Sequence, residues 1–187
     1  MTMTRFAVVF VLLACASRGV AEELCPLETD VAPMTLADIY AKGEAIATGW
    51  QADAVLANAT TTSNGPLDEE GRSEAWRLLF YSPSANANAS FTTFRGMFTC
   101  YASEGAAGRI PDLAPDFLRD GARLYAIAKE QGGEFIADGY TVSIQTTAAP
   151  ETRHAMWYIT YANPGGGNAG RTVIVDANTG EVEKVLD

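Results

Sequence analysis

Trp76-Arg77-Leu78-Leu79-Phe80-Tyr81-Ser82-Pro83 and, eighty-one positions later, Trp157-Tyr158-Ile159-Thr160-Tyr161-Ala162-Asn163-Pro164 share one pattern, Trp-x-[Leu/Ile]-x-[Phe/Tyr]-x-x-Pro. Apolar or aromatic residues alternate along each copy, the period of a strand with one face on a core. The closing Pro has no N–H to give to a ladder and ends it. Trp76 and Trp157 are in phase with Leu78/Phe80 and Ile159/Tyr161, which makes them core anchors rather than ligand platforms.

The same offset runs outward from this stretch. It relates Leu36 to Phe117, Ile46 to Ile127, Val55 to Ile136 and Arg72 to Arg153 without a gap. A constant offset through helix, strand and loop predicts a tandem repeat. The expected fold class is therefore α+β, as two repeated units, each a helix packed on one face of an antiparallel sheet. The expected bounds are a signal peptide over 1–21, an irregular lead-in over 22–34, a first unit over 35–102, a linker over 103–114 and a second unit over 115–187.

Local signals fill in the units. Thr35 reads as an N-cap with Asp38 three residues on, opening a helix to about Trp50. A strand follows over 54–62, then an acidic turn-rich loop over 63–71. Residues 83–90 (PSANANAS) read as a loop, and 91–101 as two short strands about Arg95-Gly96. Pro115 suits the first turn of a second helix that Gly132-Gly133 ends. Tyr140, Val142 and Ile144 alternate on a strand, and Thr146 to Thr152 reads as a turn. After Gly165-Gly166-Gly167, residues 171–175 and 181–186 form a hairpin about Asp176–Gly180.

The chain opens with one charge, Arg5, and a short apolar run, Phe6 to Ala14, too short to cross a bilayer. The expected processing is a cut before Glu22, with lipidation of Cys15 as the alternative. Gly19 and Ala21 suit cleavage before Glu22, giving a periplasmic or secreted protein. Leu12-Leu13-Ala14-Cys15 resembles the lipobox of bacterial lipoproteins, in which Cys15 carries lipid and anchors the chain to a membrane. Cys25 and Cys100 remain, and an even pair in an exported protein reads as a disulfide.

The formal charge is −10, and loss of Arg5 and Arg18 with a leader cut before Glu22 takes it to −12. That balance argues against a nucleic-acid partner, which needs Lys/Arg patches. Catalytic motifs are missing. His154 is the one histidine, so every Ser-His or Cys-His site must use it. One His and a bridged cysteine pair cannot supply the usual zinc ligands, so neither a metal nor a cofactor is expected. Asp176, Asn178 and Glu181 read as a hairpin turn rather than a calcium loop.

The ending Val175-Asp176-Ala177-Asn178-Thr179-Gly180-Glu181-Val182 resembles the closing hairpin of PepSY domains. The helix carrying Ala126-Ile127-Ala128 and the Trp157 strand follow the same order. Paired units of this kind also resemble the architecture of bacterial beta-lactamase inhibitor proteins. The resemblance implies an exported, non-enzymatic binding module whose partner is a peptidase or another envelope protein. The alternatives are an envelope lipoprotein of structural role, or a hydrolase with an unrecognised site. A partner would dock on the strand phase opposite the core, where Arg77, Tyr81, Met156 and Tyr158 stand, because Tyr, Met and Arg are the types enriched at interfaces. The competing use of that phase is as a seam packing the two units together.

Overall fold

The computed structural model describes residues 21–62, 65–105, 107–149, 152–163 and 168–187. The leader with Cys15, Pro164 and the Gly165–Gly167 run lie outside them. In chain order the elements are β1 (Glu22–Glu23), β2 (Met34–Thr35), α1 (Leu36–Trp50), β3 (Val55–Thr61), β4 (Arg72–Ser73), β5 (Trp76–Ser82), β6 (Ala87–Phe94) and β7 (Met97–Glu104). Then come α2 (Gly121–Ala137), β8 (Thr141–Ala148), β9 (Ala155–Ala162), β10 (Asn168–Asp176) and β11 (Val182–Leu186).

The expected pair of separate helix-on-sheet units is corrected. Among the described residues, nine strands form one antiparallel sheet in the order β1-β7-β6-β5-β3-β8-β9-β10-β11, beside a two-stranded β2–β4 ribbon. The join is β3 against β8, through Ala59↔Thr146 and Thr60↔Gln145. Two separate sheets would each expose an extra edge of unpaired N–H and C=O groups, and pairing β3 with β8 removes both. The ladder there is short, and side chains complete it. Asn58 Nδ2 donates to Thr146 O at 3.0 Å, Thr60 Oγ1 donates to Ile144 O at 3.1 Å, and Ile144 N donates to Thr61 Oγ1 at 3.0 Å.

Register across this join fixes a common face. Residues paired directly across antiparallel strands point to the same side. Leu78 pairs with Ala59, Ala59 with Thr146, Thr146 with Trp157, and Trp157 with Val175. The helices pack against this side, α1 against β5 and α2 against β8, β9 and β10. Trp76, Leu78, Trp157, Ile159 and Tyr161 are fully buried there. The Trp76 indole donates to Met34 O at 2.7 Å and the Trp157 indole to Leu118 O at 3.0 Å, so neither N–H is left unmet in the core.

Several local expectations hold, and others shift for stated reasons. Thr35 caps α1, accepting from Asp38 N at 3.2 Å. β5 ends at Ser82, just before Pro83. Arg95 and Gly96 both have positive φ, 49° and 75°, the geometry of a two-residue type I′ hairpin between β6 and β7. The second helix starts later than expected. Asp120, not a residue near Pro115, caps α2 by accepting from Arg123 N. Residues 107–120 instead strap the helix side of the sheet. Ile110 N donates to Leu56 O, Leu118 N to Ala177 O, and Phe117 stacks on Trp157. Nor does α2 stop at Gly132-Gly133. It kinks there, because Gly132 lies against the Tyr161 ring. β6 takes up half of the expected 83–90 loop, and β8 runs to Ala148 through the start of the expected turn.

Candidate functional site

The sheet face away from the helices is the candidate site. Its side chains belong to the alternate phase of each strand. One cross-strand row reads Tyr158 (β9), Gln145 (β8), Thr60 (β3), Arg77 (β5), Thr92 (β6) and Thr99 (β7). Five strand spacings of about 4.8 Å give it a span of roughly 24 Å. Tyr101 and Ser90 stand level with Leu79 in a neighbouring row, and Ser143 with Thr160 in another. Hydroxyl and amide side chains dominate this stretch, in which Arg77 is the one charge; beyond Tyr158 the row runs on through Ile174 (β10) to Lys184 (β11). Arg77 is exposed and makes no ion pair among the described residues.

The join shapes this face. Past Thr60 the β3–β8 backbones no longer pair, and Ile144 N turns to the Thr61 hydroxyl instead. A hollow of about 200 Å³ opens there, lined by Thr60, Ser143, Gln145, Tyr158 and Thr160. The Ser143 hydroxyl is covered and, among the described residues, has no hydrogen-bond partner.

The four expected partner-binding residues all belong to this phase but do not converge. Arg77 and Tyr158 share the central row, three strand spacings apart. Tyr81 sits four residues along β5 from Arg77, its hydroxyl donating to Asn86 Oδ1 at 3.2 Å. Met156 is 9% exposed, paired between Thr147 and Asp176. Thr60, Ser143, Gln145 and Thr160 were not singled out by sequence reasoning. The signal was present in Thr141-Val-Ser143-Ile-Gln145, whose polar phase is as regular as its apolar one.

Elsewhere, polar groups are absorbed by structure. Asp176 Oδ1 accepts from Asn178 N and Thr179 N, both at 2.8 Å, as a turn does. His154 is exposed at the β8–β9 turn, and its N–H donates to Thr152 Oγ1. No three His, Cys, Asp or Glu side chains gather to hold a metal among the described residues. Asn58 and Asn88, each opening an Asn-x-Ser/Thr triplet, lie in strands with their amides in use: Asn58 as above, and Asn88 donating to Gly105 O and accepting from Ala107 N. A second hollow of about 400 Å³ lies between α1, β3 and the 107–120 strap. There the Tyr40 hydroxyl donates to Glu44 Oε1 at 2.7 Å. Burial, and then the Glu44 carboxylate, push its pKa well above the usual tyrosine value.

Cys25 and Cys100 are joined as a disulfide, with Cα atoms 5.7 Å apart, as the sequence predicted. It fastens the lead-in beside β7, where β1 also pairs.

No family model matches the chain, and no curated protein sequence does. Among solved structures, the fold is similar to the crystal structure of a protein from Clostridium difficile 630 described as a "putative lipoprotein". The match has a TM-score of 0.50 at 12% identity, covering 88% of this chain and 97% of the other. At that identity the likeness is one of fold.

Proposed function

We propose that the chain is an envelope lipoprotein, tethered through Cys15, that works by binding on its helix-free sheet face rather than by catalysis. The cysteine accounting carries the anchoring. Of three cysteines, Cys25 and Cys100 are bonded to each other, which leaves Cys15, in its Leu-Leu-Ala-Cys setting, for thioether chemistry. The description of the structural neighbour supports the same reading. Six residues separate Cys15 from β1, a reach of at most about 25 Å even fully extended. A fold so tethered stays next to the membrane surface. The binding role rests on the broad helix-free face and on the turn and surface duties of Asp176 and His154. The test is metabolic labelling with an alkyne fatty acid in a bacterial host. Wild type is expected to label and to sediment with membranes, and Cys15→Ser to do neither. An unlabelled wild-type chain in the soluble fraction contradicts the anchoring.

A further inference from the structure

We infer that the hollow at the β3–β8 join is a seat for a neutral glycan chain, which continues along the central row of the helix-free face. This rests on the reading of that face as the working surface, and not on how the chain is anchored.

Three observations point to that ligand class. The first is the lining. Thr160 offers a hydroxyl and Gln145 an amide, while the Thr60 hydroxyl is given to Ile144 O and that of Ser143 is covered; no ionisable carboxylate or ammonium lines the hollow. Hydroxyls and amides both donate and accept, which matches a ligand made of hydroxyl and acetamido groups. The second is the aromatic. Tyr158 is half-buried and lines the hollow, and an aromatic ring is the kind of side chain whose apolar body packs on the C–H side of a sugar ring. The third is charge. On a chain of net −10, the stretch of the row from Tyr158 to Thr99 carries a single charge, Arg77, which pairs across the strands with Thr60, and the next charge, Lys184, lies two strands beyond Tyr158. A cationic ligand finds no carboxylate in the hollow. A polyanion finds one guanidinium on a strongly acidic molecule. A neutral ligand meets neither obstacle.

A protein partner fits this surface less well. Ser and Thr are under-represented among residues that carry protein-interface energy, and here they dominate. Met156, the most apolar of the expected anchors, is buried. The hollow itself holds about seven waters' share of liquid volume, enough for one ring-sized group. The roughly 24 Å row then has room for several more sugar units lying across the strands.

The experiment is titration of the full mature chain, wild type and Cys15→Ser, with a β-1,4-linked N-acetylglucosamine hexamer, followed by amide NMR and calorimetry. Shifts are expected at Gln145, Thr160 and Thr60, equal in both forms, so that loss of the anchor and loss of the seat are read separately. Gln145→Ala and Thr160→Val are each expected to weaken binding at least tenfold with the melting temperature unchanged. Gln145→Leu serves as a third variant should either disturb folding. The inference is overturned if neither this hexamer nor any member of a neutral-glycan array binds at millimolar concentration. It is equally overturned if binding occurs but ignores these substitutions, or if the face instead captures a protein in a manner that Gln145→Ala abolishes.

Discussion

The Tyr161 hydroxyl donates to Ala128 O at 2.6 Å while its ring lies against Gly132, so one side chain ties β9 to the kink of α2. Burial pushes its pKa up to about 12, with the Arg171 guanidinium opposing and Glu134 adding to the rise. The folded state therefore holds the neutral phenol more tightly than the unfolded chain does. Its contribution is fully present below pH 10 and is lost as the pH rises through about 12. Denaturation across that window should show a steeper loss of stability for wild type than for Tyr161→Phe. Equal slopes would mean that the hydroxyl does not sit in this bond. The two tryptophans make a second residue-level test. Trp76→Ala and Trp157→Ala should each cost about 3–5 kcal/mol in urea unfolding. Arg77→Ala, on the helix-free face, should cost under about 1 kcal/mol. The phase of both strands was legible because alternation records burial directly. The polar phase was less legible, since a Thr or Ser that bridges strands and one that merely faces water look alike in sequence.

At the level of elements, glycines separate close approach from mere flexibility. Gly71 has φ +74°, and a Cβ there would meet Ala122 N at 2.2 Å, backbone that has little room to yield. Gly133 has nothing within 4 Å of an added Cβ. Gly71→Ala should therefore destabilise by about 1–3 kcal/mol or more, as overpacking and a strained φ do. Gly133→Ala should stabilise by about 0.5–1 kcal/mol through helix propensity. Thermal melts of the pair decide it; a neutral Gly71→Ala would mean that the 68–71 turn does not pack on the start of α2. The start of α1 was legible from Thr35 and Asp38, which are adjacent in sequence and satisfy each other. The start of α2 was not. Pro115 has the right chemistry for a first turn, but Phe117 is drawn onto Trp157 and Leu118 N onto Ala177 O. These are long-range contacts that no local signal carries, and they keep the segment out of the helix until Asp120.

Across the whole molecule, the disulfide fastens one end of the sheet and the β3–β8 join holds its middle. Cys25–Cys100 closes 75 residues of chain, for which loop entropy predicts about 4 kcal/mol. The Cys25→Ser/Cys100→Ser double variant should unfold at correspondingly lower denaturant. An unchanged midpoint would mean that the lead-in is held by its other contacts alone. The cysteine pairing was legible by elimination. The single sheet was not, because alternation tells which face of a strand is buried and says nothing of which strand it pairs with. Asn58, Thr60 and Thr61 knit the join through side chains, and in sequence they look like ordinary strand residues. Everything assigned to the helix-free face depends on that join, since the hollow spans β3, β8 and β9. The most direct test is a nuclear Overhauser measurement across it. Cross-strand contacts of the Ala59 and Thr60 backbone with Gln145 and Thr146 are the expected result, and their absence, with both strands otherwise intact, would contradict a continuous sheet and the site built on it.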